Sequence, residues 1–478
     1  MTLIGRTFIG FSVFLSHIFQ WSWLIFLFIP FVSFGQKIQI TDIAVTGLNK
    51  TKPYILLREL DFKVGDSIDM KEILHRFSTN EKRILNTNLV VTAAFRMVDF
   101  NLESRTSGVS ITCKEGLYIY PLPLLEFLDN DFNKWWNNYK RSFKTLSYGG
   151  YFQHLNLTGN GDRLILYGQA GFTKKISIDY DFPYLNRNNT LGLGATAFFA
   201  ANKEVPVVTT NNYLVFKRNL EHSLLQRFKG GLRALCRPGI YSKHLLEING
   251  YDFAAHDSIT ENFNPDYFNG HAKLRFLEVK YSFRYDKRDI IPYAMKGWVA
   301  EVYVDQIGLG KSVINKSDIG IRFSGFRKLT EKLSVEEHVY GRYNINRNKI
   351  PYYFNKALGY DNLYVRGFEN NVVDGQDYFL SKLNLRFHIF GMNVDWDKNI
   401  ILKAYQQLPI DLYLSGGFDV AKVDDRFYGT GNPLSNQMIH GYGLGLDIVF
   451  YYNKLLRLEV SRNNLGKIGF FVHFDAGL

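Results

Sequence analysis

Tyr364-Val365-Arg366-Gly367-Phe368 is the stretch whose residue types ask most of their surroundings. It lies near the middle of a long loop between two alternating segments, with an arginine beside a glycine at the tip and aromatics on either side. Glycine permits the positive φ that such a tip needs, and the aromatics can wedge the loop against a wall. An arginine taken out of bulk water needs a partner, and a carboxylate matches its planar fork. That chemistry is docking, not catalysis. Asp305-Gln306-Ile307-Gly308-Leu309-Gly310-Lys311-Ser312 looks like a phosphate loop, but Asp305 stands where the first glycine is required and no helix pattern follows. A hairpin turn is the better reading. No Gly-x-Ser-x-Gly elbow occurs, and the 11 histidines include no His-x-x-x-His pair suited to zinc. No catalytic, metal or cofactor site is assigned, and an enzyme is not expected.

The elements that position this loop are strands. The 478 residues include 40 Phe, 30 Tyr and 40 Gly, with 21% charged residues, and turn residues recur at short intervals. That composition points to many β-strands, and aromatic girdles at two membrane interfaces would account for the surplus of rings. The formal charge of +12 is spread over scattered Lys and Arg, often at every second position, so nucleic acid is excluded as a partner and anionic lipid headgroups are a better match. Cys113 alternates in phase with Val109 and Ile111 and reads as a small buried hydrophobe; Cys236 falls in a different domain, so no disulfide framework is indicated.

Residues 1–35 carry one charge, Arg6, before an apolar run that contains Leu24 to Ile29 and breaks at Pro30. Ser33 and Gly35 supply small residues at the −3 and −1 positions of a cleavage site, which reads as a secretory signal peptide. An uncleaved anchor helix is the alternative.

Residues 37–116 read as a small α+β domain of order β-α-α-β-β, with a three-stranded sheet and two helices on one face. Pro53 opens the first helix, Asp69 and Glu72 stand in capping-box spacing at the second, and Ser78 with Glu81 repeats that spacing where the helix could break. Val98, Phe100 and Leu102 alternate on one strand, and Val109, Ile111 and Cys113 on the next.

After a linker at 117–144, residues 145–478 alternate strand by strand. Leu277, Val279, Tyr281, Phe283 and Tyr285 share a parity without charge, against Glu278, Lys280, Arg284 and Asp286 on the other. Leu456, Leu458 and Val460 oppose Arg457 and Glu459, and Ile468, Phe470, Val472 and Phe474 oppose Lys467, His473 and Asp475. A charge on a lipid-facing strand costs about 2–4 kcal/mol at the bilayer midplane, so the uncharged parity faces lipid or a core. A soluble β-sandwich also alternates, but so many bulky aromatics on one parity over so many strands favour lipid. The charged parity, Glu459 and Lys467 included, faces water and is expected to tolerate changes of charge. Strand starts near 145, 162, 174, 189, 211, 229, 243, 272, 296, 317, 333, 377, 409, 437, 454 and 466 predict a 16-stranded antiparallel transmembrane β-barrel.

Taken in order, these segments resemble the BamA-type outer-membrane assembly-factor superfamily (the surface-antigen family), over essentially all of the chain after the leader. The resemblance rests on Asn156-Leu157-Thr158-Gly159-Asn160-Gly161-Asp162, Asp181-Phe182-Pro183-Tyr184, Tyr285-Asp286-Lys287-Arg288-Asp289 with Lys296-Gly297-Trp298, Val365-Arg366-Gly367-Phe368, and Gly441-Tyr442-Gly443-Leu444-Gly445-Leu446. Residues 37–116 resemble the polypeptide-transport-associated (POTRA) domain, through Gly-Leu-Asn-Lys-Thr after the first strand and Lys-Glu-Gly after the last.

The resemblance implies that Arg366 enters the lumen and pairs with wall carboxylates. Asp419 matches the acidic strand motif, and its parity points inward; Asn384 stands where the family has an inward glutamate, so Arg366 is expected to lean on Asp419 almost alone. The chain runs on past Phe474 to Leu478, where such barrels commonly end on an aromatic.

The implied function is insertion of other barrels into an outer membrane of the Gram-negative type, with the POTRA domain in the periplasm. Clients would add a strand at the domain's Val98, Phe100 and Leu102 edge, or at a lateral seam of Tyr148, Gly149 and Gly150 against Gly469, Phe470 and Val472. The domain could equally serve as a scaffold for partners. Implied partners are unfolded outer-membrane proteins, outer-membrane lipids, and periplasmic or lipoprotein accessory subunits. A two-partner secretion pore and a passive surface-antigen barrel are the alternatives.

Overall fold

The structure, a computed structural model, describes residues 37–127, 146–395 apart from 187, 292, 311, 361 and 362, 407–450 and 454–475. The expected leader and most of the expected linker lie outside the described residues.

The N-terminal domain contains β1 (Lys37–Thr46), the helix Pro53–Leu57, β2 (Ser67–Asp69), the helix Ile73–Leu85, β3 (Val90–Asn101) and β4 (Thr106–Glu115). Its sheet has four strands, not three, in the order β2-β1-β4-β3, with β1 and β4 parallel. The added strand is three residues long, too short for alternation to reveal, and pairs with the start of β1. Asp69 ends it, and the Asp69 Oδ1 accepts from the Lys71 backbone N–H at 3.0 Å. The expected capping box therefore does not form: the helix begins at Ile73, with Glu72 as a cap that makes no side-chain bond, and runs unbroken past Ser78. Ile40, Leu56, Ile84, Ile111 and Cys113 share its core. Burial, with Glu115 nearby, pushes the Cys113 thiol up to about 11.

Beyond this domain come β5 (Ile119–Phe127), β6 (Leu146–His154), β7 (Arg163–Gly171), β8 (Thr173–Phe182) and β9 (Leu191–Asn202). A hairpin follows, β10 (Glu204–Thr210) with β11 (Tyr213–Arg218). Then come β12 (Leu225–Cys236), β13 (Ser242–Ala255), β14 (Lys273–Asp286), β15 (Gly297–Ile307), β16 (Lys316–Lys328) and β17 (Leu333–Asn344). A small pair, β18 (Lys356–Leu358) and β19 (Val373–Asp374), precedes β20 (Asp377–Asp395), β21 (Gln407–Asp424), β22 (Met438–Phe450), β23 (Lys454–Asn463) and β24 (Ile468–Asp475). Without β10, β11, β18 and β19, these strands form one 16-stranded antiparallel sheet that runs from β5 to β24 in chain order.

The strand number agrees with the sequence, but two memberships do not. Tyr213–Arg218 alternates convincingly, yet it pairs only with β10, outside the large sheet. The sheet's first strand is Ile119–Phe127, inside the expected linker, where Pro121 and Pro123 masked it. The phosphate-loop lookalike spans the β15–β16 hairpin.

The two faces of the sheet differ as the parities require. Leu277, Tyr281, Val460, Phe470 and Val472 are exposed on the outside. Inside, Glu278 accepts from Asn249 at 2.8 Å and Tyr251 at 2.6 Å. Among the described residues, no helix is long and apolar enough to cross a membrane.

The N-terminal domain sits on the turns at one end of the rolled sheet. Glu59 holds Arg237 through both carboxylate oxygens at 3.1 and 3.2 Å. The Arg58 guanidinium donates to the Arg237 carbonyl and lies over the Tyr184 ring, and Asn86 bonds the Asp289 carbonyl. The Lys52 N–H donates to the Gly159 carbonyl at 3.0 Å. Three of the quoted turn motifs therefore contribute to this seat. At the other end the long connections pack on each other: Val205, Val207, Ile259, Tyr267, Phe268, Ile314 and Tyr352 form one buried cluster, and Asn212 ties residue 432 to the Val372 carbonyl.

Candidate functional site

The connection between β17 and β20 starts at that far end and folds back into the sheet's interior. Its tip turns at Gly367, whose φ of +78° is one that side chains with a Cβ rarely adopt. The Gly367 carbonyl accepts from Asn463 Nδ2 at 2.7 Å. Val365 and Phe368 are buried with Leu380, Ala421 and Val423 from the strands below, so the tip is anchored by apolar packing before any charge is considered.

Arg366 then spreads its fork over three strands. Nη1 meets Asp419 Oδ1 on β21 at 3.0 Å, Nε meets Glu459 Oε1 on β23 at 2.9 Å, and Nη2 meets Asn384 Oδ1 on β20 at 2.8 Å. The Arg366 backbone N–H also donates to Asp419 Oδ2 at 2.9 Å. Lys382 adds a second cation, 3.1 Å from Asp419 Oδ2 and 2.9 Å from the Tyr364 carbonyl. Two cations thus meet two carboxylates, and Asp419 is fully buried. Such a cluster is sound because each buried charge has an opposite charge and hydrogen bonds.

Two glycines make room for it. A Cβ on Gly417 would collide with the Arg366 guanidinium, and one on Gly441 with the Arg366 carbonyl. The Gly441-Tyr442-Gly443 motif therefore admits the loop backbone.

These positions correct two expectations. Arg366 does not lean on Asp419 almost alone, because Glu459 is a second carboxylate and Asn384 itself accepts a bond. Glu459 is 4% exposed and engaged, so it is no water-facing position free to change charge. Its inward parity was legible; that it would meet an arginine 93 residues earlier was not.

A further layer lies alongside. Glu336 pairs with Arg386 and with His338, and its Oε2 lies 3.4 Å from Asn384 Nδ2. Arg457 grips Asp447 with two bonds of 2.7 Å, and Asp447 also accepts from Tyr293, carried in by the turn between β14 and β15. Tyr364 reaches the last strand, with its hydroxyl 3.0 Å from His473 Nδ1. Among the described residues, Glu369, Glu459 and His473 bring one ligand atom each within 4.8 Å of one another; two of the three are already engaged, Glu459 by Arg366 and His473 by Tyr364.

The seam residues divide. Gly469, Phe470 and Val472 lie on β24, an end strand of the sheet. Tyr148, Gly149 and Gly150 lie on β6, which is paired on both sides, by β5 and by β7. That half of the expected seam is wrong, because the strand read as first is the second. The end strands are β5 and β24, and no ladder joins them among the described residues. Val98, Phe100 and Leu102 fall at the outer edge strand of the small sheet or just past it, all exposed.

No family model matches the chain, and no curated protein matches it. Among solved structures it is similar to BamA from Haemophilus ducreyi lacking POTRA domains 1–3, with 14% identity over 92% of this chain and 84% of that one and a TM-score of 0.51. CdiB from Acinetobacter baumannii matches with 14% identity over 92% and 73% at a TM-score of 0.48, and CdiB from Escherichia coli with 8% identity over 93% and 90% at 0.47. The chain has the fold of the BamA structure, the sixteen-stranded barrel-like sheet and adjoining small domain together.

Proposed function

We propose that this protein is an outer-membrane β-barrel assembly factor that receives client strands at the seam between β5 and β24. The observation that carries this reading is the pair of end strands that no ladder joins among the described residues, in a sheet whose other neighbours are all laddered. An unpaired edge in lipid is costly, since no water is present to satisfy its backbone groups. A client strand satisfies them, and clients of many sequences qualify because backbone bonds ask little of side chains.

The remaining parts have matching roles. The small domain, seated on the turns, lies on the periplasmic side and offers the β3 edge, with Val98 and Phe100 on it and Leu102 just past it, to extended clients. The docked loop, with Tyr364 on His473, holds β24 in place beside the opening. The exposed apolar outer face meets outer-membrane lipid. Unfolded outer-membrane proteins are the partners, with periplasmic or lipoprotein subunits as accessories.

Depletion followed by an inventory of outer-membrane proteins tests this. Loss of many barrel proteins is expected. Loss of a single exported polypeptide would instead assign a secretion pore, and no loss a passive surface barrel.

A further inference from the structure

The two edges of the seam are not equivalent, and the difference is in the backbone. Positions along an antiparallel strand alternately turn their N–H and C=O toward one neighbour and the other. The Leu155 N–H donates to the Tyr118 carbonyl at 2.9 Å, and the register continues as Tyr120 opposite Gln153 and Leu122 opposite Tyr151. Tyr120, Leu122, Leu124 and Glu126 therefore turn toward β6. Ile119, Pro121, Pro123, Leu125 and Phe127 turn toward the open side. Both prolines of β5 thus fall where the missing N–H would have pointed into the seam.

The same count on β24 gives a different edge. The Asn463 N–H donates to the Lys467 carbonyl at 3.0 Å, and Ser461 stands opposite Gly469. Gly469, Phe471 and His473 turn toward β23, which leaves Ile468, Phe470, Val472 and Phe474 turned to the open side. Each of these has an N–H and a C=O. Their side chains are 70%, 64%, 58% and 63% exposed, all on the apolar outer face.

A strand laid on β5 would leave two of its own carbonyls without donors, side by side in the middle of the contact. In water that omission is cheap; in lipid nothing else answers those carbonyls. Proline at the open side of an edge strand is also how sheets discourage further pairing. β24 has no such gap.

We propose that β24 is the edge that receives a client strand, and that Pro121 and Pro123 make β5 the edge that refuses one. The occupant is an extended strand of an unfolded barrel polypeptide, with alternate apolar residues to continue the outer face beside Phe470 and Val472. The inference rests on the assembly reading and adds which edge does the templating. The two prolines also keep β5 from closing fully on β24, so the seam stays available.

The test uses the full-length protein in phospholipid vesicles, given a urea-unfolded eight-stranded barrel polypeptide as the probe. A photo-crosslinking benzoylphenylalanine replaces Phe470 in one variant and Leu125 in another, and insertion of the probe is read in parallel by protease protection. Crosslinks from position 470 should exceed those from 125 by about tenfold, the effect of two lost ladder bonds. In a Pro121→Val, Pro123→Val background, where valine suits a strand and restores both donors, crosslinks from 125 should rise towards those from 470. Equal or stronger crosslinking from 125 with both prolines present would overturn the proposal while insertion continued. Insertion without a crosslink at either edge would also overturn it and leave the assembly function standing. Absence of insertion would overturn the assembly reading itself, and the edge assignment with it.

Discussion

The Tyr364 hydroxyl lies 3.0 Å from His473 Nδ1, and the two rings stack with centroids 5.3 Å apart at 11°. Tyr364 belongs to the docked loop and His473 to the last strand of the sheet. The arginine tip beside Tyr364 is therefore coupled to β24, an end strand of the sheet, through one ring contact and the Glu459 bond on the neighbouring strand.

Arg366→Ala should destabilise the folded protein by about 3–5 kcal/mol, the cost of leaving buried carboxylates unpaired. Asp419→Asn and Glu459→Gln should each shift in the same direction. The check is the temperature at which the folded form loses its compact gel mobility. The Arg366→Ala, Glu459→Gln double variant should fall well short of the sum of the singles; simple additivity would show that the two do not interact.

Asn384→Glu should lower that temperature. Glu336 Oε2 is 3.4 Å from Asn384 Nδ2, so a carboxylate at 384 would face another one in a buried site, where like charges repel strongly. A more stable variant would mean that the new carboxylate gains more from Arg366, whose Nη2 lies 2.8 Å from Asn384 Oδ1, than it loses to Glu336.

Leu444→Lys and Val472→Lys should each impair assembly, by about 2–4 kcal/mol if the position is near the bilayer midplane. Both side chains are exposed on the outer face. Lys467→Glu, in the exposed turn before β24, should be tolerated. Equal tolerance at all three would remove the lipid-facing assignment.

The N-terminal domain should weaken in acid through Glu115. Burial alone would raise this carboxyl, but N–H donation from Thr51 and Lys50, at 2.7 and 3.0 Å, outweighs it and holds the group below its ordinary value. A depressed carboxyl contributes stability that is complete above its unfolded value and is lost as pH falls through the folded one. Amide exchange around residues 50–60, corrected for the intrinsic pH dependence, should show protection falling in that acid window. Glu115→Gln should flatten the dependence, and an unchanged profile would assign it to another group.

Much of this was legible in the sequence because a sheet with one apolar and one polar face imposes a period of two on every strand. The parity of Leu277, Phe418 and Val460 against Glu278 and Asp419 holds in three dimensions. The first strand was hidden by Pro121 and Pro123, residues that argue against a central strand but are allowed at an edge with the N–H side open. Their spacing of two was the available signal. Tyr213–Arg218 shows the converse error, since alternation marks a strand without saying which sheet it joins. Glu459 could be placed inside by parity, but its pairing with Arg366 depends on how deep the loop descends, and local sequence does not encode that depth.

The most direct test of lateral assembly is to lock the seam. Cysteines are scanned along Leu125–Phe127 and Ile468–Val472, with Cys113 and Cys236 replaced by alanine, until an oxidant joins β5 to β24. The locked protein should stop inserting an unfolded barrel into vesicles, and reduction should restore insertion. Full insertion activity with the seam covalently closed would contradict the mechanism.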